Sequence, residues 1–446
     1  MHDHKPQKER VTLVKEFSDK EMLDRLLCET FPYFLTQTNS VNGLIADKNQ
    51  PGSPSSIAVV GFGLCTYISG VERGLLSKAE AIRKILATLR FFYQGEQGTA
   101  GDAMGHKGFF YHFLDMETGK RAWKSELSSV DTAFFIAGAL TAAQYFKGDD
   151  SEEQEIRNLA DLLYRRVDWC WMQNGTSTLC HGWKPRSGFL RFHWDTGYSE
   201  ALLLYILAMG SPTFPISQKG YRDWISTFEW VKIFETHYLH AAPLFIHQFS
   251  HLWLDFRGIR DDFNREKDFD YFENSRKATH IQRQYAIENK AGFPHYNKYC
   301  WGFTASDGPG PAIRKIDGQK KIFYDYVARG VPHGPDDGTV SPWAVVASLP
   351  FAPEIVVETI RHAIGRQEGK KTQPFSFDAS FNPIFPSKNG KDNGWISPWK
   401  FGLNEGPIIL MIENYQTGLI WELAKKCPYI INGLHLAGFR GGWLED

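Results

Sequence analysis

The chain has 446 residues, 42% of them apolar, and a formal net charge of −1, which gives ample material for a buried core and supplies no basic stripe for nucleic acid. The same balance gives no support to a strongly anionic polymer as substrate. Aromatics reach 15%, with 14 tryptophans. Many of these lie beside Gly, His, Asp or Asn, as at Trp183, Trp194, Trp301, Trp395 and Trp399, a placement that favours a carbohydrate cleft over core filling.

The opening MHDHKPQKER has no apolar run of the kind a secretory leader carries, so the chain reads either as intracellular (cytoplasmic) or as a processed periplasmic form. Residues 1–15 read as a flexible N-terminus ahead of one domain over 16–446. Helical periodicity then begins. Segments are expected over Ser18–Thr38, with Ser18 as N-cap, and over Ser55–Gly70, apolar almost all round. Ser77–Gln94 is amphipathic, and Ser129–Phe146 carries a stripe of Val130, Phe134, Ala137, Gly138, Thr141 and Tyr145. The Gly61-Phe62-Gly63 triplet falls inside an apolar helical run, where close helix packing explains it better than a nucleotide-binding turn.

Further helices are expected over Ser151–Met172, Gly197–Met209, Gln218–His237, Leu244–Phe256, Asp268–Lys290, Pro342–Leu349, Pro353–Arg366 and Pro407–Lys426, the last with Pro407 at the first helical position. Helices apolar all round alternate with amphipathic ones, as two concentric helix layers require. The expected fold is therefore all-α, an (α/α)6 toroid, with short β-hairpins in the cleft-face loops near Gly108–Asp115, Gly188–Trp194 and Phe375–Phe381. The six cysteines show no CxxC pair and read as buried thiols, with one disulfide possible. No stretch is long and apolar enough to span a bilayer, so membrane insertion is not expected.

Five constellations can carry chemistry. Trp194-Asp195-Thr196-Gly197-Tyr198-Ser199-Glu200 leads into the apolar run Ala201–Ala208, placing a carboxylate at the mouth of a buried helix. Partial desolvation beside Trp194 and Tyr198 would raise its pKa, as a general acid requires; the alternative is a carboxylate that caps the helix. Glu126 and Asp131, around Ser128 and Ser129, stand at the start of another buried helix and either face Glu200 or complete a cap there. The stretch WGFTASDGPGP (301–311) sets Trp301, Phe303 and Asp307 in a stiff Gly/Pro frame, with a rigid turn burying Trp301 and Phe303 as the alternative. His333, Asp336, Asp337 and Trp343 form a polar loop before a short helix, and Glu405 precedes the last helix; these are ligand contacts, or a turn and a dipole-favoured acid. The histidines show no metal-ligand spacing, and neither a GxSxG elbow, a P-loop nor a dinucleotide-binding GxGxxG is present.

Taken together, WGFTASDGPGP (301–311), DGTVSPWAVVASLPFAPEIV (337–356), WDTGYSEALLLY (194–205), ELSSVDTAFFIAGAL (126–140), FYHFLDMETGKRAW (110–123) and NEGPIILMIENYQTGLIW (404–421) make the chain resemble the bacterial glycoamylase-like family, which is related to glycoside hydrolase family 144, the β-1,2-glucanases. The resemblance implies an (α/α)6 barrel, hydrolysis of a β-1,2-glucan to sophorose or short sophorooligosaccharides, no cofactor or metal, and an inverting pair of acids. It matches Glu200 to the acid ending the W-x-x-x-Y-S-E pattern. Asp131 is the favoured base, acting directly or through a substrate hydroxyl, with Glu126 as rival or helper. Trp194, Tyr198, Trp301, Phe303, Asp307, His333, Asp337, Trp343, Trp399 and Glu405 are the expected substrate contacts. A monomer is expected, and endo or exo action turns on loops near Phe263–Glu273 and Phe385–Trp399. Three alternatives stay open: an α-glucan hydrolase, a sugar epimerase recruiting His181, His193 or His333, and a glycan-binding protein without catalysis.

Overall fold

The computed structural model describes residues 17–316, 318–367, 375–386 and 394–445. The expected flexible N-terminus lies outside them, as does part of the Phe385–Trp399 loop. The first helix, α1 (Asp19–Thr30), starts on a capping box in which Ser18 and Glu21 exchange bonds, and α2 (Pro32–Thr36) follows at once. One segment was expected there; Pro32, with no N–H to donate, divides it. Next come α3 (Ile57–Glu72) and α4 (Lys78–Gln94), the latter with a second capping box, Ser77 and Glu80. Then come α5 (Ser129–Tyr145), α6 (Ser151–Arg166) and the short α7 (Trp169–Met172), which begins where Asp168 caps Trp171.

These helices are of two kinds. Along α3 every residue from Ile57 to Gly70 is buried, and along α5 every residue from Ser129 to Ala143, so its expected stripe is part of an all-round burial. In contrast, α4 and α6 bury one face each: Ala81, Ile82, Ile85, Leu86, Leu89 and Phe92 in α4, and Ile156, Leu159, Ala160, Leu163 and Tyr164 in α6. Each fully buried large aliphatic residue contributes about 1.5–3 kcal/mol, so the all-buried helices anchor the core. α3 and α5 cross backbone to backbone. A Cβ on Gly61 would come within 2.3 Å of Phe134 O, and one on Gly138 within 2.3 Å of Gly61 O. Glycine is required at both positions.

α8 (Leu202–Gly210) is buried throughout and α9 (Gln218–Ile225) follows. The expected helix to His237 ends at Ile225 instead. Trp230–Ile233 and Thr236–Leu239 pair as a hairpin, because their aromatic and β-branched residues suit a strand. Its two turn residues, Phe234 and Glu235, both have positive φ (47° and 62°), as a tight primed turn requires. The expected helix over Leu244–Phe256 is two 3₁₀ turns, Leu244–His247 and Ser250–Leu252, because Gln248 and Ser250 spend their side chains on other segments. α10 (Asp262–Lys267) ends at a left-handed Asp268, and the expected Asp268–Lys290 helix is α11 (Tyr271–Glu288).

After α12 (Pro342–Ala347) and α13 (Pro353–Gln367) comes α14 (Gly402–Gln416), which corrects the sequence reading: it starts five residues early and holds Pro407 in its interior. α15 (Leu419–Ala424) and α16 (Pro428–Leu436) complete the chain. The strands are short. Leu127–Ser128, Gly182–Lys184 and Gly188–Phe189 form a three-stranded sheet, and Ser55–Ser56 pairs with Phe113–Leu114, so both sheets end at the start of a buried helix. All six cysteines are free thiols, and among the described residues no helix is long and apolar enough to cross a membrane.

Candidate active site

Three largely buried helices, α5, α8 and α14, each carry a carboxylate at or just before the first turn. Asp131 follows the Leu127–Ser128 strand. Ser128 Oγ accepts from the Asp131 N–H at 3.2 Å, but Asp131 returns no bond to Ser128. Only half a capping box forms, and the carboxylate turns instead to His112, with Oδ2 at 3.5 Å from Nε2. The other ring nitrogen of His112, Nδ1, lies 3.1 Å from Glu126 Oε1, and Lys184 Nζ stands 3.8 Å from Glu126 Oε2.

This histidine bridges two acids. Burial alone would lower its pKa, but the Asp131 charge and the Glu126 hydrogen bond outweigh burial and raise it to about 9. The His112 bond in turn draws Glu126 down to about 2. A third acid, Asp47, lies close by in the loop after Ile45 and is raised to about 6 by burial, with His112 and Lys48 opposing and Asp131 adding. That loop is held from the far end of the chain: Gly402 N donates to Asp47 O at 2.8 Å, and Asn49 N donates to Lys400 O at 3.0 Å.

Glu200 sits in a turn, two residues before α8 begins at Leu202, not in the first helical turn as expected. No cap bond comes from its own stretch of chain; the α8 N-terminus is met by Ser250 instead. The Glu200 backbone is fixed by Ser250 Oγ, which donates to Glu200 O at 2.9 Å and accepts from Leu203 N at 3.2 Å. Burial raises its carboxyl to about 7, and the charge of Asp131 adds to the shift. Asp131 therefore adds to the shifts of Glu200, Asp47 and His112 alike. Tyr326 keeps 52% of its surface exposed, yet its hydroxyl is raised by burial and then by Asp47, Asp307 and Asp131.

The expected ligand contacts separate into two groups. Trp194 is half-buried, its Nε1 donates to Ser129 Oγ at 2.9 Å, and its ring stacks on His181 at 3.8 Å. Tyr198 is buried beside Glu200 and stacks on Tyr271 at 5.7 Å. Asp307 is half-buried, with Oδ2 accepting from Ser397 Oγ at 2.8 Å; Trp399 is half-buried and His333 is exposed, 5.7 Å from His240. Glu405, in the first turn of α14, is raised to about 7 by burial against the opposing charge of Lys400, whose Nζ is 3.8 Å away.

Four of the expected contacts are core residues instead. Trp301 is buried, with Nε1 donating to Thr359 Oγ1 at 3.2 Å, and Phe303 packs on Tyr296 and Tyr285. Trp343 is buried against Phe249. Asp337 is buried in an ion pair with Arg329, at 2.8 Å, and also accepts from Tyr324 N. None of these side chains offers surface to a ligand: the Gly/Pro frame of 301–311 is a turn that buries its aromatics. Asp336 likewise accepts from Tyr285 and Tyr296 hydroxyls.

Sequence reasoning missed His112, Asp47 and Tyr326. His112 lies within FYHFLDMETGKRAW, so its motif was visible while its role was not. Asp47 ends the short apolar run Leu44-Ile45-Ala46, a faint signal of a carboxylate carried inward. Among the described residues no group of three or more His, Cys, Asp or Glu is placed to hold a metal ion.

The family model Glycoamylase, described as "Putative glucoamylase", matches residues 191–428, a span that includes Glu200 and Glu405. The chain belongs to this family. It is similar to the exo β-1,2-glucooligosaccharide sophorohydrolase (non-reducing end) of Parabacteroides distasonis, with 28% identity across 94% of this chain. The alignment covers 58% of that relative, so the chain spans less than two thirds of its length. Among solved structures it is similar to a protein called a "putative glucoamylase" from Bacteroides uniformis (TM-score 0.83, 29% identity, 96% of this chain and 100% of the other). It is equally similar in fold to the endo-β-1,2-glucanase of Chitinophaga pinensis solved with sophorotriose and glucose (TM-score 0.83, 26% identity, 96% and 100%).

Proposed function

We propose that this chain is a glycoside hydrolase that cleaves β-1,2-linked glucan or its sophorooligosaccharides by single displacement, in one catalytic domain built as an (α/α)6 toroid and acting as a monomer. The observation that carries the reading is two carboxylates at the starts of buried helices: Glu200 just ahead of α8, raised by burial, and Asp131 in the first turn of α5, held by His112. A glycosidase needs one carboxyl that keeps its proton to meet the leaving oxygen and a second that is ionised. Glu200 supplies the first role. Asp131, held by His112, takes a proton from water directly or through a substrate hydroxyl. Glu126, drawn down by the same histidine, keeps His112 charged and so fixes Asp131 in place. Trp194, Asp307, Trp399 and His333 are the remaining candidates to line the sugar path, while Tyr198 and Glu405 are nearly as covered as the four core residues.

The named activities of the Parabacteroides distasonis and Chitinophaga pinensis proteins support the β-1,2 linkage, while the family's description points to an α-linked glucan. A panel of β-1,2-glucan, sophorooligosaccharides and starch, with products resolved by size and anomeric form, separates these. Turnover of the β-1,2 substrates with inversion is expected; release of glucose from starch alone would replace the reading. Glu200→Gln is expected to lower kcat by at least about a thousandfold with an unchanged fold by circular dichroism. Retained turnover would remove Glu200 from the mechanism.

A further inference from the structure

A second hollow lies on the other side of the loop that carries Asp47. It encloses about 930 Å³, at the upper end of the range for small-molecule sites, and is walled by residues 36–40, 49–54 and 115–117 with Trp123 at its rim. Its lining holds no lysine or arginine, which disfavours an anionic ligand, and is rich in amides and hydroxyls, including Asn39, Asn49 and Gln50. Its base is fixed, since the Asn39 and Asn42 side-chain amides both donate to Met116 O, at 2.9 and 3.0 Å.

Trp123 is presented outward with 60% of its surface exposed, although burying such a ring would be favourable. The presentation is built. Both Trp123 and Lys124 hold left-handed backbone (φ 51° and 52°), a sparsely populated state for side chains of this size. The Arg121 guanidinium clamps that turn by donating to Lys124 O at 2.7 Å and Ser125 O at 2.5 Å, and Ala122 N donates to Phe113 O at 2.9 Å. A relay of ring contacts links the hollow's rim to the catalytic centre. Trp123 packs on Phe113 at 4.8 Å between ring centres, and Phe113 stacks at 4.0 Å on His112, the residue that touches Asp131. On the opposite wall, Asp47 N donates to Pro54 O at 2.8 Å, so one loop faces the hollow with Pro54 and the acids with Asp47.

We propose that this hollow is a second saccharide site, in which Trp123 is the stacking platform for the part of a longer neutral glucan chain that extends beyond the bond being cut. The idea rests on the glucan reading above. A flat, pinned indole suits the apolar face of a sugar ring, and the amide rim suits its hydroxyls. Substrates too short to reach Trp123 would bind only at the catalytic centre.

The test uses the full chain carrying Glu200→Gln, titrated calorimetrically with sophorose and with a sophorooligosaccharide of about six units. Adding Trp123→Ala is expected to weaken the longer ligand at least about fivefold and leave sophorose unchanged, with Trp123→Phe restoring most of the loss. Equal binding of the longer ligand with and without Trp123 overturns the proposal. The same variants are titrated with cello-, laminari- and malto-oligosaccharides. Trp123-dependent binding of one of those alone retains the hollow and overturns the β-1,2 linkage, whereas no Trp123-dependent binding in any series overturns the hollow itself. Because Trp123 is exposed, unchanged melting temperatures are expected for both variants.

Discussion

Glu200 occupies a desolvated turn, and its proton is held by that surrounding more than by any hydrogen bond from a neighbouring side chain. With its carboxyl raised to about 7, the acid is protonated below neutrality and ionised above it. Turnover by the acid-active form is therefore present at lower pH and lost as pH rises through about 7. A pH profile of kcat/KM on sophorooligosaccharides is expected to fall tenfold per pH unit on its alkaline side from that point. A flat profile to pH 9 would assign the acid elsewhere. Glu200 and Asp131 were legible as candidates in the sequence because an acid beside the first turn of a largely apolar helix has few places to go. His112 and Asp47 were not, because each acquires meaning only from partners on other segments. Trp301 and Trp343 mislead for the reverse reason: an indole in a Gly/Pro-rich loop has the same local sequence whether its ring faces a cleft or the core.

At the scale of elements, the helix that carries Asp131, α5, is held against α3 by a backbone-to-backbone crossing. Gly61 and Gly138 let the two backbones touch, and any side chain there must push the helices apart. Gly138→Ala is expected to destabilise the fold by about 1–3 kcal/mol, as overpacking in a rigid core does, measured by urea denaturation; an unchanged midpoint would mean the crossing can relax. The Gly61-Phe62-Gly63 run was readable as close helix packing, and the all-round burial of α3 and α8 followed from their apolar runs, whereas α5 was read as a stripe. Where the sequence misled, side-chain bonds to distant segments decided the outcome. Ser250 bonds Glu200 and Leu203 instead of continuing a helix, and Gln248 reaches Ala344 O and Ser348. Periodicity alone carries no record of such bonds.

Across the whole molecule, the last long helix is locked to the first ones. Glu413 on α14 accepts from Arg73 Nε at 2.6 Å and from Ser69 Oγ at 2.5 Å, both near the end of α3, while Arg73 also pairs with Asp24 on α1 at 2.8 Å. The Glu413 carboxylate is 1% exposed, so removing it strands a largely covered guanidinium. Glu413→Ala is expected to cost about 3 kcal/mol or more, read as a shift in urea midpoint, with loss of activity only where the fold is lost. A shift below about 1 kcal/mol would show that Arg73 finds solvent or Asp24 sufficient.

The hold that Lys400 and Gly402 keep on the Asp47 loop has a temporal side. A ribosome releases Asp47 long before it makes the segment that grips it, so the young protein waits through most of its own synthesis with that acid unplaced. Fixing that loop from the far end is thus among the last contacts this polypeptide can make, and a version shortened ahead of residue 400 would lack both of those bonds.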